Sequence, residues 1–256
     1  LFKAYNDNVH EDPRTTIFAA DGRNVLLAST SQYDVIISEP SNPWMAGIAY
    51  LFTQEFYQLA KQRLAPGGLM AQWLQLYRIS PDDVKLVLKT FHEEFGHVSV
   101  WSTLEGDLLL VGSSAPQQWT SEQLAQRMAA PAVQEGLAQV RITRPEMLLQ
   151  LLSLETEEIE RLTSDVKWIH HDDQPWLEFS APKALYDGLA IGVNTRGLER
   201  FRSASQSIMP DYDASREDAA FHLSMALLWS FRQQPQQARE ALEQAVALDP
   251  TLRDAW

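Results

Sequence analysis

The feature that most constrains the fold is a strand, helix, strand pattern over residues 33–77. Residues 33–38 (YDVIIS) are a short β-branched apolar run, typical of a central strand that a parallel sheet buries on both faces. Apolar side chains then recur at helical spacing over 51–64, and a Pro-Gly-Gly at 66–68 ends that helix before a second apolar run at 69–76. The pattern predicts a β-α-β unit in an α/β sheet.

Further elements extend this sheet on both sides. Residues 15–20 (TTIFAA) predict a short strand that ends at the acidic turn Asp21-Gly22. Residues 81–95 are amphipathic with two aspartates in the first turn, which favours a helix closed by Gly96. The runs HVSVW and DLLLVGS that follow predict an antiparallel hairpin. We therefore expect one α/β domain over residues 1–115.

Beyond Pro116 the sequence becomes rich in Gln, Glu, Leu and Ala at helical periods. It predicts a helical extension over 116–190, with a polar loop at 170–175 (HHDDQP), and a helical tail over 191–256. A tetratricopeptide repeat template fits residues 219–252, and a single such repeat cannot bury its face alone. The tail therefore predicts a repeat array that binds a protein partner. The template positions are Ala226, Trp229, Ala238, Leu242, Ala245 and Pro250.

Composition excludes several classes of function. A net charge of −13 and a sequence pI near 4.8 argue against nucleic acid as a partner, because nucleic-acid binders concentrate Lys and Arg on one face. The chain has no cysteine, which excludes disulfides, thiolate zinc sites and cysteine nucleophiles. We predict no metal site either, because adjacent residues of the HHDD run point to opposite sides of an extended segment. No apolar run of about twenty residues occurs, so we expect no membrane contact from this segment.

Polar residues follow the predicted strands at the positions where an open α/β sheet binds ligands. Such sheets bind ligands outside the carboxyl ends of their strands. Asp21 follows the first predicted strand, residues 39–42 follow the second, and the strand at 69–76 carries Gln72. A carboxylate there can hold an ammonium group and accept its proton, and an amine is nucleophilic only after it loses that proton.

The segments YDVIISEPSNPW and LFTQEFYQLAKQRLAPGG, followed by a Gln-bearing strand, resemble the spermidine synthase (polyamine aminopropyltransferase) family. SEPSNPW together with DDQPWLEFSAP resembles the subgroup often fused to membrane transporter-like segments. The resemblance implies a class I S-adenosylmethionine-dependent methyltransferase-like (Rossmann-like) fold and a place in polyamine biosynthesis. It implies transfer of an aminopropyl or related alkyl group to a small-molecule amine from decarboxylated S-adenosylmethionine or S-adenosylmethionine. It also implies a cytoplasmic protein or the soluble part of an inner-membrane protein.

The resemblance also assigns roles to residues. Asp21 and Gly22 match the acidic-Gly pair that contacts the cofactor's adenine, and Glu39 matches the acidic residue that binds and deprotonates the amine. Asn42 stands where the family has a second acidic residue. Gln72 matches a strand glutamine near the substrate, and Trp44 would wall the pocket together with Tyr77.

Two departures from the family pattern keep other functions open. Glu39 is one methylene longer than the family's aspartate, and Asn42 can neither take a proton nor offer a full charge. S-adenosylmethionine-dependent methyl transfer and a non-catalytic scaffold that binds partners through tetratricopeptide repeats therefore remain alternatives.

The chain also contains no Gly-x-Gly turn of the kind that approaches the cofactor after a first strand. We therefore expect an N-terminally truncated sheet in which residues 15–20 are detached or pair abnormally beside 33–38. We also expect the chain alone to be inactive.

Overall fold

The computed structural model describes residues 8–104, 106–186, 188, 190–202 and 207–255. The chain divides into two compact units, Leu1–Ser31 and Gln32–Trp256.

The described part of the first unit contains a 3-10 turn, Val9–Glu11, and one helix, α1 (Gly22–Ala28). Residues 15–20 form no strand, so the prediction of a strand there is wrong. Ile17 and Phe18 are 69% and 68% exposed. An apolar run forms a strand only where a neighbouring strand accepts and donates its backbone hydrogen bonds.

The second unit is built on a five-stranded mixed sheet. Its strands are β1 (Tyr33–Ser38), β2 (Leu64–Gln75), β3 (His97–Leu104), β4 (Asp107–Ser113) and β5 (Leu152–Leu154). The spatial order is β1-β2-β4-β3-β5; β1 and β2 are parallel, and the remaining pairs are antiparallel. The β-α-β unit, the hairpin and the α/β class are as the sequence predicts. The three-residue β5 was missed, because so short a run carries no period.

Strand β1 lies at an edge of the sheet rather than at its centre, and this corrects the prediction. Ile36 is 8% exposed, whereas Val35 and Ile37 are 50% and 71% exposed. Side chains alternate between the two faces of a strand, so β1 is covered on one face only. A continuous apolar run does not distinguish one covered face from two.

Helices surround the sheet within the second unit. α2 (Gln54–Arg63) starts at Thr53, whose hydroxyl accepts a hydrogen bond from the Phe56 N–H, and a 3-10 turn precedes it at Ala49–Leu51. The other helices, in chain order, are α3 (Pro81–Phe95), α4 (Ser121–Met128), α5 (Pro131–Gln139), α6 (Pro145–Leu149), α7 (Thr156–Leu162), α8 (Trp176–Ala184), α9 (Ala190–Glu199), α10 (Ala219–Phe231) and α11 (Pro235–Leu248).

Helices α2 and α3 supply the aromatic core against one face of the sheet. The Tyr57 and Phe91 rings meet edge to face with centroids 5.0 Å apart. Gly112 in β4 makes room for Phe95, because a Cβ built at Gly112 would lie 2.6 Å from that ring. Met70 pairs with Gly112 across the sheet and is fully buried, so this face of β2 packs against the same helices.

The last two helices pack against each other and against the region before them. Phe221 and Met225 of α10 share a buried cluster with Ile142 and Met147. Arg232, which follows α10, donates from Nη2 to the Ser102 carbonyl oxygen of β3 at 2.7 Å. The tetratricopeptide repeat and the three-domain division remain predictions; the boundaries at 115/116 and 190/191 fall inside the second unit. In the ranges that the structure describes, no helix has the length and apolarity to span a membrane.

Candidate active site

The carboxyl ends of β1 and β2 bring four of the predicted residues to one edge of the sheet. β1 ends at Ser38, which pairs with Gln72 of β2, and Glu39 follows directly. Asn42 and Trp44 lie in the loop that leads from β1 to the 3-10 turn before α2. The second unit thus places Glu39, Asn42, Trp44 and Gln72 where an open α/β sheet binds ligands.

Gln72 is fully buried on the helix-covered face, in alternation with Met70 and Leu74. Its Nε2 donates to the Trp73 carbonyl oxygen at 3.0 Å and to the Ser38 carbonyl oxygen at 3.4 Å. Its Oε1 is buried and has no hydrogen-bond partner within the described part of the chain. Gln72 therefore caps the end of β1 and keeps one acceptor unused.

Asn42, Trp44 and Tyr77 form a polar and aromatic wall. Asn42 Nδ2 donates to the Tyr77 hydroxyl at 3.3 Å, and the Trp44 and Tyr77 rings meet edge to face with centroids 6.2 Å apart. Gly106 lies behind Tyr77 with φ +83°, and a Cβ there would lie 2.7 Å from Ile191 Cδ1. Glycine is required at that position both by its backbone conformation and by its neighbours.

Asp107, the first residue of β4, is a candidate that sequence reasoning missed. It pairs with Gln75, and residues 73, 75 and 107 share the face opposite Gln72. Burial raises the pKa of the Asp107 carboxyl; the hydrogen bond from the Trp73 side chain opposes this shift, and the charge of Glu39 adds to it. Asp107 and Glu39 are therefore close enough for their charges to interact. The sequence signal for Asp107 is that an acidic residue opens a predicted strand directly after Gly106.

The polar loop at 170–175 holds the start of α2. Glu55 Oε1 lies 3.1 Å from His171 Nδ1, and Glu55 Oε2 accepts a hydrogen bond from the Asp172 N–H at 3.0 Å. Glu178 in α8 accepts from the Gly47 N–H at 3.0 Å. The DDQPWLEF block is thus bonded at one end to α2 and at the other end to the loop that carries Asn42 and Trp44. Its position over a pocket mouth remains a prediction.

His170 is buried beneath this loop. Its Nε2 lies 3.0 Å from the Ala49 carbonyl oxygen, so Nε2 carries the proton, and its backbone N–H donates to Thr90 Oγ1 at 3.0 Å. Burial lowers the pKa of the imidazole below its ordinary value. The neutral ring is therefore a packing element of the loop. Within the described ranges no three or more His, Asp and Glu side chains group as metal ligands.

Asp21 and Gly22 lie in the first unit, at the start of α1. Asp21 Oδ1 accepts a hydrogen bond from the Asn24 N–H at 2.8 Å, so the carboxylate caps the helix. Gly22 has no atom within 4 Å of a built Cβ, and Asp21 is exposed. Their contact with the cofactor's adenine remains a prediction.

Known proteins match the part of the chain that carries these residues. Residues 2–104 match the family model described as "Spermine/spermidine synthase domain". The chain is 33% identical over 97 residues to a polyamine aminopropyltransferase of Enterobacter sp. (strain 638), which covers 38% of this chain and 33% of that enzyme. It is 32% identical over 84 residues to spermidine synthase of Dictyostelium discoideum, and that alignment covers 33% of this chain and 29% of that enzyme.

The similarity is confined to parts of each protein. In these two alignments the chain spans about a third of the length of the curated relatives. A solved structure of a probable spermidine synthase from Corynebacterium glutamicum shares 24% identity, with a TM-score of 0.41, over 62% of this chain and 55% of that one. All of the second-unit site residues except Asp107 fall within the matched residues 2–104.

Proposed function

We propose that the protein carrying this chain transfers an aminopropyl or related alkyl group from an adenosyl sulfonium to an amine. The observation that carries the proposal is the carboxylate of Glu39 at the carboxyl end of a parallel strand, inside the segment that matches the spermine/spermidine synthase domain. The named relatives are aminopropyltransferases, which supports the same reaction class here. A Rossmann-like, methyltransferase-type fold follows from the same match.

In this proposal Glu39 holds the ammonium group of the amine and accepts its proton, which frees the nitrogen lone pair. The nitrogen then attacks the carbon bonded to the sulfonium sulfur, and the C–S bond breaks to release a neutral thioether. A positioned general base contributes about 10²–10⁴ in rate. The wall of Asn42, Trp44 and Tyr77 shapes the amine side.

Decarboxylated S-adenosylmethionine is the proposed alkyl donor, and its sulfonium supplies the group that is transferred. Asp21 and Gly22 are the residues proposed to hold its adenine. Asp21 offers an acceptor for the adenine amino group, and Gly22 leaves the approach open.

Binding and product analysis test the proposal. We expect the protein to bind decarboxylated S-adenosylmethionine in a calorimetric titration and to form an aminopropylated diamine detectable by mass spectrometry. Glu39→Gln should lower the turnover by about 10²–10⁴. The control Glu122→Gln, at an exposed position of α4, should leave turnover unchanged.

The same experiment separates the alternatives. Methylated amine from S-adenosylmethionine, with no aminopropyl product, would replace this proposal with methyl transfer. A protein that binds neither donor would favour the scaffold. One observation supports the scaffold. The helical pair α10 and α11 exposes the apolar side chains of Leu227, Phe231 and Leu248 to 50%, 49% and 56%, and this surface can contact a protein partner.

A further inference from the structure

A cavity of about 400 Å³ lies between the end of α9, the strands β3, β4 and β5, and the turn that joins α10 to α11. This volume is in the range of small-molecule binding sites. Its wall is largely polar, and amide side chains offer a ligand both donors and acceptors. The cavity can therefore hold a polar small molecule. Five glutamines line it: Gln150, Gln233, Gln234, Gln236 and Gln237.

Arg232 brings a buried positive charge to the wall of this cavity. The residue is 5% exposed, and its Nη2 donates to the carbonyl oxygen of Ser102, which lines the cavity. Its Nε and Nη1 are buried and have no hydrogen-bond partner among the described residues. Burial lowers the pKa of the guanidinium to about 10, so the group is still charged at neutral pH. A buried charge without a counter-charge is costly, which indicates that an anion completes this group.

The cavity lining does not balance the charge of Arg232. Among the described residues that line the cavity, Arg202 and Glu199 are the charged ones, and their charges have opposite signs. Arg202 also donates from Nη2 to the Gln150 carbonyl oxygen at 2.8 Å, at the same wall. Together with Arg232, the surroundings of the cavity carry a net positive charge. This charge favours a negatively charged ligand.

Helix α11 begins at the same cavity. Its first residue, Pro235, has no N–H, and no side chain caps the helix N-terminus. The Ala238 N–H is the first to bond within the helix, to the Gln234 carbonyl oxygen. The N–H groups of Gln236 and Gln237 therefore have no acceptor within α11, and both residues line the cavity. Free N–H groups and the positive end of the helix dipole favour an anion here.

We propose that this cavity binds a small molecule through a phosphate group, which the N–H groups of Gln236 and Gln237 hold and the charge of Arg232 attracts. A phosphate monoester carries a charge of about −1.5 to −2 near neutral pH, more than a carboxylate, and has three acceptor oxygens. The cavity is larger than a phosphate ion, so the remaining space can hold the organic part of the molecule. The site shares no residue with those proposed to carry the transfer reaction.

Calorimetric titrations of the chain with inorganic phosphate and with acetate, at constant ionic strength, test the assignment. We expect saturable binding of phosphate and weaker binding of acetate. Arg232→Met keeps most of the side-chain length but removes the charge, and it should weaken phosphate affinity about tenfold or more. Arg239→Met removes the same charge from a side chain of α11 that is 81% exposed, and it should leave phosphate affinity unchanged.

The outcomes separate a ligand site from a purely structural arginine. If Arg232 only joins the end of α10 to β3 through Ser102, Arg232→Met will change stability and leave phosphate affinity unchanged, and that result would overturn the proposal. Arg232→Lys, which keeps the charge, should retain most of the phosphate affinity. Acetate binding as tight as phosphate binding would overturn the choice of phosphate. All of these readouts measure binding, so they do not depend on aminopropyl transfer.

A measurement on the wild-type protein covers the case in which Arg232→Met does not fold. The backbone amide resonances of Gln236 and Gln237 should shift saturably as phosphate is added. The amide resonance of Gly136, in the exposed part of α5, should stay in place. Resonances of Gln236 and Gln237 that do not respond to phosphate would overturn the inference.

Discussion

At Gly68 the backbones of β1 and β2 come close together. A Cβ built there would lie 2.9 Å from the Ala65 carbonyl oxygen, 3.0 Å from that of Tyr33 and 3.1 Å from that of Asp34. All three atoms belong to backbone and cannot turn away as a flexible side chain can. The close approach coincides with the register shift between Tyr33 and Val35 in the β1–β2 pairing. The glycine thus permits the strand pairing that places Glu39 beside β2.

Gly68→Ala should therefore lower the free energy of unfolding by about 1–3 kcal/mol, the range for overpacking. Urea unfolding followed by circular dichroism measures the change. Gly136→Ala is the matched control: it lies exposed in α5 with no atom within 4 Å of a built Cβ, and alanine should stabilise a helix there by about 0.5–1 kcal/mol. Equal effects of the two substitutions would contradict the close approach.

At the scale of elements, the loop at 170–175 joins three parts of the second unit. His170 contacts the turn before α2 through Ala49 and helix α3 through Thr90, while Glu55 in the first turn of α2 holds the next two residues. The Gln54 N–H also donates to the His170 carbonyl oxygen at 2.8 Å. Since the segment carrying Asn42 and Trp44 runs between β1 and α2, this loop sets the position of one wall of the candidate site.

The buried imidazole of His170 makes the stability of the folded loop at 170–175 depend on pH. Burial lowers the pKa of His170 below 6.5, the nearby charges of Asp172 and Glu55 oppose that shift, and the charge of His171 adds to it. As the pH falls below 6.5 the unfolded chain takes up a proton that the folded state resists, so stability present at higher pH is lost.

His170→Gln should remove that dependence while an amide N–H still reaches Ala49. Between pH 7 and pH 5 the wild type should lose more unfolding free energy than the variant, up to about 1.4 kcal/mol per pH unit within the window. Urea titrations across this range give the pH dependence of the unfolding free energy for the wild type and for the variant. A further titration of each protein at pH 8, where the imidazole is neutral in the folded and unfolded states, gives the cost of the substitution itself. An equal pH dependence of the unfolding free energy in the two proteins would show that a group other than His170 causes it.

At the scale of the whole second unit, the helical pair α10 and α11 is part of a larger core. Phe221, Met225 and Leu228 of α10 are 1% to 3% exposed and share a cluster with Ile142 and Met147. Arg144, beside that cluster, bonds Asp218 at the start of α10 at 2.8 Å. Segments about eighty residues apart in sequence therefore depend on each other, so we expect α10 to unfold together with α6.

Phe221→Ala tests this dependence. It should lower the free energy of unfolding by about 3–5 kcal/mol, as is usual for a fully buried phenylalanine. Near-ultraviolet and far-ultraviolet circular dichroism should report the same shifted transition. Phe179→Ala, at a position that is 70% exposed, should stay within about 0.5 kcal/mol of wild type. A separate early transition that leaves the aromatic signal of the sheet unchanged would indicate an independent repeat instead.

The sequence predicts correctly the elements whose hydrophobic period is local. The central part of β2, helix α3 and the hairpin of β3 and β4 all lie where the pattern predicts them. It also marked Glu39 through its position at a strand end and Gln72 through the family resemblance of its strand. Residues 15–20 show where local reasoning fails, because a strand exists only if a neighbour accepts its hydrogen bonds.

Which residues meet at the candidate site depends on how the strands pack together. The edge position of β1 and the opposite faces of Gln72 and Asp107 depend on the pairing order of the strands. Asp107 lies sixty-eight positions beyond Glu39, yet its carboxyl responds to the charge of Glu39 because β4 pairs with the far side of β2. A hydrophobic period relates only residues that are near each other in the sequence, so it cannot predict this contact. Strand order and register set it, and they follow from the packing of the whole unit.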